Sequence, residues 1–192
     1  MFSKLEIRDI IISLAVLTLV FAYPEFLRDP AFLAFSLLSV GIGFVGHELS
    51  HKFMARRYGF FAEFKMWKEG ITLALILAIA TNGSFIFAAP GAVYFGRMYF
   101  FQRISKNQVG KIGISGSVFN ILLFLIFLSL FNVFQLNFLR HAALINLWLA
   151  VFNLLPFGPL DGQKVFAWSW KIWLLVFGIS VTGLVSIFSR IF

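Results

Sequence analysis

Apolar runs separated by short polar turns dominate the chain. Five of them are about as long as a helix that crosses the ~30 Å hydrocarbon core of a bilayer. They cover approximately residues 10–26, 31–55, 112–134, 138–155 and 172–191. The pattern predicts an all-α polytopic membrane protein, with residues 1–192 forming a single domain.

The segment between the second and third runs is less regular. Residues 60–68 mix aromatic and charged side chains, which is typical of a strand or an interfacial segment. Residues 71–94 are apolar but are interrupted by Asn82-Gly83-Ser84 and Pro90-Gly91. If this stretch crosses the bilayer there are six transmembrane helices, and if it dips in and returns there are five. We therefore expect five or six spans with a small membrane-associated β or re-entrant segment within residues 60–95.

The distribution of basic residues favours the re-entrant arrangement. With five crossings, only Arg28, Arg140 and Arg190 of the 16 basic residues lie outside, and the rest face the cytoplasm. This agrees with the positive-inside rule. Re-entrant backbone is tolerated where protein or a water-filled cavity surrounds it. The second span then runs inward, and its cytoplasmic half contains residues 47–51.

Composition supports a multi-pass integral membrane protein. The chain is 60% hydrophobic and 12% charged, against about 45–50% apolar and about 25% charged residues in soluble domains. The net charge of +8 is no sign of nucleic-acid binding, because the basic residues lie in short loops between apolar runs. The chain has no cysteine, so a metal site must use histidine and carboxylate ligands.

The sequence His47-Glu48-Leu49-Ser50-His51 is unusual for its position. It ends the second apolar run, and residues 31–46 contain no charged side chain. Ionisable groups within a membrane are costly and typically functional. On a helix, two histidines four residues apart project from one face, where both can bind Zn²⁺, with Glu48 beside them as general base. This pattern predicts a zinc hydrolase with its active site in the membrane.

A catalytic zinc takes three protein ligands, so a third is required. His141 falls in a predicted external loop, and Glu63 and Glu69 lie in a polar neighbourhood. The other acids before residue 47 are at the terminus or in predicted external turns: Glu6, Asp9, Glu25 and Asp29. Asp161 follows the fourth crossing and arrives on the same side as the histidines. Asp is also a favoured helix N-cap residue, so from its position alone the two roles are equally supported.

The residues resemble a known family at this point. His47-Glu48-Leu49-Ser50-His51 together with Asn153-Leu154-Leu155-Pro156-Phe157-Gly158-Pro159-Leu160-Asp161-Gly162 is similar to the paired signature of the site-2 proteases, which are intramembrane zinc metalloproteases. The resemblance covers residues 46–164. It implies that His47, His51 and Asp161 are the zinc ligands and that Glu48 is the catalytic glutamate.

The resemblance also implies further roles. Asn153 matches a family asparagine near the active site, where it would contact the substrate carbonyl, and Asn120 ends a stretch similar to the family's G-P-x-x-N. That stretch has Ser117 in place of proline. Residues 90–93 resemble a membrane-embedded sheet region near the active site. The family performs regulated intramembrane proteolysis of transmembrane protein substrates.

On physical grounds, Zn²⁺ acidifies water, Glu48 would take and return its proton, and Asn153 and Asn120 could donate hydrogen bonds to the developing oxyanion. A substrate helix must unwind, and an edge strand from residues 60–68 or 90–95 could hold it extended. Two alternatives remain open. One is a membrane metal transporter, and the other is a pseudoprotease that binds metal without catalysis.

Overall fold

The structure is a computed structural model that describes residues 2–98 and 103–188. Eight α-helices are present within these ranges: α1 (Lys4–Ala22), α2 (Ala31–Val40), α3 (Gly46–Arg57), α4 (Lys68–Ala80), α5 (Lys106–Phe134), α6 (Asn137–Asn153), α7 (Asp161–Trp168) and α8 (Trp170–Phe188). Two strands, β1 (Phe61–Met66) and β2 (Gly91–Gly96), form one small sheet. A 3₁₀ turn, Glu25–Leu27, connects α1 to α2.

Helices α2 and α3 are two halves of one continuous helix. They are joined by a π-helical turn, Gly41–Val45, rather than by a break. Such wide turns are often found at functional sites. The combined helix ends as the sequence predicts, with Arg56 and Arg57 in the last turn and Gly59 at φ 75°, a left-handed conformation that glycine adopts without strain. This helix coincides with the predicted second span and is long and apolar enough to cross a membrane.

Of the two alternatives expected for residues 60–68, a strand or an interfacial segment, the structure has a strand, β1. It pairs antiparallel with β2, and the register joins Phe61 to Gly96 at one end and Met66 to Gly91 at the other. The N–H of Trp67 donates to the carbonyl of Pro90 at 2.8 Å, so the two ends of the segment between the strands meet. The chain therefore leaves the sheet through α4 and returns to it.

The expected number of spans is not confirmed. Among the described residues, three helices are long and apolar enough to cross a membrane: Ala31–Arg57, Lys106–Phe134 and Trp170–Ile187. Helix α6 has 17 residues and is about 26 Å long, short of the ~30 Å core. Helix α1 carries Lys4, Glu6, Arg8 and Asp9 in its first six positions. The end of the predicted last span, residues 189–191, lies outside the described residues, as do residues 99–102 of the basic stretch 97–111.

Helix α5 begins six residues earlier than the apolar run predicts. Ser105 and Gln108 form a capping box, in which each side chain bonds to the other residue's backbone N–H, so the helix starts at Lys106 in polar sequence. Further along α5, Leu122, Leu125 and Ile126 are about half exposed. Exposed apolar side chains on a helix of this length suit contact with lipid.

Glycines let α5 approach the two helices that carry the candidate site. A Cβ atom on Gly110 would lie 2.3 Å from Trp168 of α7, and one on Gly116 would lie 2.6 Å from the imidazoles of α3. Small residues permit close backbone approach between helices in a membrane protein. Helix α5 consequently brings the start of α7 against the middle of α3.

Candidate metal centre

Three buried side chains meet where α3, α5 and α7 come together. His47 and His51 lie one turn apart on α3, and Asp161 is the first residue of α7. The Nε2 atom of His51 is 3.0 Å from Nε2 of His47 and 2.8 Å from Oδ2 of Asp161. The remaining pair, His47 Nε2 and Asp161 Oδ2, is 3.3 Å apart. The structure thus brings the three predicted ligands together.

The hydrogen bonds behind the histidines determine which ring nitrogen carries the proton. Nδ1 of His51 lies 2.7 Å from the carbonyl oxygen of Ile112, which can only accept. Nδ1 of His47 lies 2.6 Å from Oδ1 of Asn120, whose Nδ2 donates to the carbonyl of Gly43 and therefore fixes the amide orientation. Both Nδ1 atoms must donate, so both Nε2 atoms present lone pairs in the neutral rings.

This arrangement fits a metal cation. Two imidazole lone pairs and a carboxylate oxygen converge within 2.8–3.3 Å of one another, and neutral histidines leave no proton between them. Tetrahedral Zn²⁺ ligands at ~2.0–2.1 Å from the ion lie about 3.3 Å from each other. A cation would therefore relieve the repulsion among these acceptors, and two histidines with one carboxylate match the ligand set of a catalytic zinc.

Lys164 determines how Asp161 presents its carboxylate. Its Nζ donates to Oδ1 at 2.8 Å, which leaves Oδ2 facing the histidines. Burial by itself lowers the pKa of Lys164, but the charge and hydrogen bond of Asp161, together with the nearby Glu48 and Tyr94, raise it above its usual value. Asp161 is not the helix N-cap that its position also allowed, because the N-cap of α7 is Leu160, which makes no side-chain capping bond.

Glu48 lies beside the ligands and faces a small cavity. Its Oε2 is buried without a hydrogen-bond partner, and the backbone of Val93 in β2 contacts its carboxylate. An orphaned buried carboxylate oxygen is costly and points to a partner that binds there. The cavity is lined by Glu48, His51, Gly91, Ala92, Val93, Asn153, Pro159 and Asp161.

The two asparagines occupy different places. Asn153 lines the cavity, and its Nδ2 donates to the carbonyl of Leu149, which leaves one N–H of the amide for another acceptor. Asn120 is fully buried behind His47, and its Nδ2 donates to Gly43 and to Oδ1 of Asn146. Asn120 therefore contacts a ligand rather than the cavity.

The other acids and histidine considered from the sequence lie elsewhere. His141 is exposed, 3.0 Å from the carbonyl of Asn137, and Glu63 accepts a hydrogen bond from Ser3. Sequence reasoning missed Lys164, Asn146 and the burial of Glu6. Lys164 lies three residues after Asp161, a helical spacing that signals contact. No local pattern marks the other two.

Comparison with known proteins agrees with this chemistry. Over 189 residues the chain is 39% identical to the Methanocaldococcus jannaschii protein named "Putative zinc metalloprotease MJ0611". The aligned region covers 95% of this chain and 93% of that protein. The chain is 26% identical over 136 residues to "Zinc metalloprotease MJ0392" of the same organism, over 68% of this chain and 32% of that protein. No protein-family model and no solved structure matches. Because the first similarity extends over nearly both chains, this protein belongs to a family of zinc metalloproteases.

Proposed function

We propose that this protein is an intramembrane zinc endopeptidase of the site-2 protease type, which cuts transmembrane helices. The observation that carries the proposal is the convergence of the Nε2 atoms of His47 and His51 on Oδ2 of Asp161, with Glu48 beside them. His47, Glu48 and His51 are buried residues of the helix Ala31–Arg57, which is long and apolar enough to cross a membrane, and Asp161 joins them from α7. A hydrolytic site there acts on peptide bonds at membrane depth.

Each residue has a role in the proposed hydrolysis. Zn²⁺ held by His47, His51 and Asp161 would supply Lewis-acid polarisation of the carbonyl and acidification of water. Glu48 takes the proton of the attacking water as its oxygen bonds to the carbonyl carbon. It then delivers that proton to the nitrogen as the C–N bond breaks. Asn153 lines the cavity and keeps one amide N–H beyond its bond to Leu149, which would suit it to stabilise the oxyanion.

Asn120 has a different role from the oxyanion donor expected from the sequence. Both its amide N–H groups have protein partners, and its oxygen holds Nδ1 of His47. We assign it to the orientation of His47, as outer hydrogen-bond partners commonly do for metal-bound histidines.

The sheet offers one edge for an extended substrate. The outward N–H groups of β1 are already used, since Phe64 and Met66 donate to Glu6 and Asp9 of α1. The outward edge of β2 faces Glu48 through Val93. An unwound substrate that adds to β2 as a strand would therefore place its backbone beside the general base.

The membrane arrangement follows from charge. Residues 67–90 leave and return to the same sheet, which supports a re-entrant segment. With this segment re-entrant, the positive-inside rule places the metal centre towards the cytoplasm. Water would then reach the cavity from that side.

Glu48→Gln in the purified, zinc-loaded protein tests the proposal. Glutamine keeps the size of the side chain but cannot act as a base. We expect zinc content equal to that of the wild type and loss of cleavage of a transmembrane peptide in detergent or liposomes by at least ~100-fold. The exposed substitution Glu69→Gln is the matched control and should leave both quantities unchanged.

Other outcomes separate the alternatives. Unchanged cleavage in Glu48→Gln would remove Glu48 as the base. A wild-type protein that binds zinc and substrate without cutting would be a pseudoprotease. Zinc flux into liposomes that survives Glu48→Gln would identify a transporter.

A further inference from the structure

A second cluster of buried charges joins α3 to α1 and lies outside the metal centre. Glu6 of α1 is 1% exposed and Lys52 of α3 is 4% exposed, and both carboxylate oxygens of Glu6 accept from Lys52 Nζ. Lys52 directly follows the ligand His51 but points towards α1 and β1. An ion pair this deeply buried is costly to desolvate and is weak evidence for a role in stability alone.

Glu6 also binds the sheet. Its Oε1 accepts the N–H of Phe64 in β1 at 3.0 Å. Phe64 is paired with Val93 of β2, and the backbone of Val93 contacts Glu48. One carboxylate therefore joins the metal-bearing helix to the strand pair.

These contacts form a closed loop that begins and ends on α3. It runs from Lys52 to Glu6, then through β1 and β2, and returns to α3 at Glu48, one turn before Lys52. The loop sets the distance between the outer edge of β2 and the general base. Movement of either strand relative to α3 would stretch the hydrogen bond to Glu6 or the contact at Glu48.

We propose that Glu6, paired with Lys52, is a positioning residue for proteolysis, which holds β2 in the register that places a substrate strand beside Glu48. This inference rests on the proposed function. It assigns a function to α1, which contributes nothing to the ligand set. It also predicts that the catalytic effect can be separated from any effect on folding or on zinc.

The energetics of buried ion pairs allow the effect on catalysis to be separated from the effect on folding. Removing one charge leaves the other buried and unpaired, which is strongly destabilising, whereas replacing both by apolar side chains of similar size is often neutral. Glu6→Gln and Lys52→Met alone should each lower the melting temperature by about 10 °C. The double variant Glu6→Leu/Lys52→Met should melt closer to the wild type than either single variant, and the remaining loss comes from the buried N–H of Phe64, which no longer has its acceptor.

The decisive measurements are made on the double variant. If Glu6 positions β2, the zinc affinity of the double variant stays at the wild-type value, while its kcat/KM for a transmembrane peptide falls at least tenfold. Hydrogen exchange of the peptide containing residues 91–96 should also become faster, because the Val93 amide is no longer held against Glu48. Lys4→Gln, at an exposed position of the same helix, is the control and should match the wild type in all three measurements.

A stable double variant with wild-type kcat/KM and wild-type exchange at residues 91–96 would overturn the proposal and leave the pair a purely structural feature. If both single and double variants fail to fold, Glu6→Asp provides the test. It keeps the charge but shortens the side chain, and we expect a lower kcat with retained zinc. Failure of the proposed function is a separate result, because the wild-type protein itself would then cut no transmembrane peptide.

Discussion

Gly116 of α5 lies directly against His51 of α3, so that a Cβ atom at position 116 would be 2.6 Å from Nε2 of the imidazole. The same Cβ would lie 2.6 Å from Nε2 of His47. These are the two nitrogens that face Asp161. The absence of a side chain at position 116 thus creates the space in which the ligands converge.

Gly116→Ala should therefore impair metal binding before it impairs folding. The added methyl group must push both imidazoles aside, and overpacking of this kind costs about 1–3 kcal/mol. We expect zinc affinity to fall by at least tenfold, measured by competition with a chelator, and proteolysis to fall with it. Gly178→Ala in α8, where a Cβ meets no atom within 4 Å, is the control and should bind zinc normally. Equal zinc affinity in Gly116→Ala and the wild type would contradict this account.

Asn120 is expected to control zinc affinity through His47. Replacing Asn120 by alanine removes the acceptor at 2.6 Å from Nδ1 of His47. The imidazole can then rotate, or its proton can move from Nδ1 to Nε2, which would no longer offer a lone pair to the metal. Loss of such a partner typically weakens metal binding 10- to 100-fold. Titration of the purified variant with zinc measures this.

The exposed Asn132 of α5 provides the control, and Asn132→Ala should bind zinc as the wild type does. An Asn120→Ala protein with unchanged zinc affinity but a lower kcat would return Asn120 to the oxyanion role expected from the sequence.

The convergence of His47 and His51 could be predicted from the sequence because their relative geometry is local. Four residues separate His47 from His51, which on a helix is one turn, and the pattern requires no knowledge of the rest of the fold. Asp161 needed more, since its position supported capping and ligation equally. Only the family resemblance and the predicted topology favoured ligation, and the contacts of its Oδ2 with both histidines agree with that role.

The partners of Glu6 were not predictable in this way. The sequence indicates only a charge near the terminus at Glu6, yet this carboxylate binds Lys52 and Phe64, which are 46 and 58 residues away along the chain. The ends of the helices were also not predicted accurately from the sequence. Hydropathy shows where apolar residues begin, whereas α5 begins where Ser105 caps it, and α6 is shorter than a typical span.

Lys164 should affect zinc binding through the carboxylate of Asp161. It holds Oδ1 of Asp161 at 2.8 Å, so Lys164→Met leaves the carboxylate free to rotate away from the histidines. We expect zinc affinity to fall roughly tenfold, the lower end of the range for outer-shell partners. Lys164→Arg retains a donor and should recover most of the affinity, and Lys171→Met in α8 should have no effect. Equal zinc affinity in Lys164→Met and the wild type would show that Asp161 is held by other contacts.

Pairing of a substrate with the outer edge of β2 can be tested at Phe95. Phe64 and Met66 of β1 direct their N–H groups away from β2, to α1. Their partners in β2, Val93 and Gly91, therefore direct their own N–H groups away from β1, to the outer edge of the sheet. The same alternation places the N–H of Phe95, the partner of Ala62, on the outer edge of β2. A substrate strand would accept from this N–H.

Proline at position 95 removes that donor while leaving the bonds between β1 and β2 intact. It also removes an aromatic ring that stacks on Phe60 at 6.2 Å, so Phe95→Ala is the matched variant that loses the ring but keeps the N–H. We expect Phe95→Pro to raise KM for a transmembrane peptide about fivefold or more above that of Phe95→Ala, one hydrogen bond being worth about 1 kcal/mol. Zinc affinity should be the same in both, since neither side chain contacts the ligands. If the two variants share one KM, the substrate does not pair with β2 at this position.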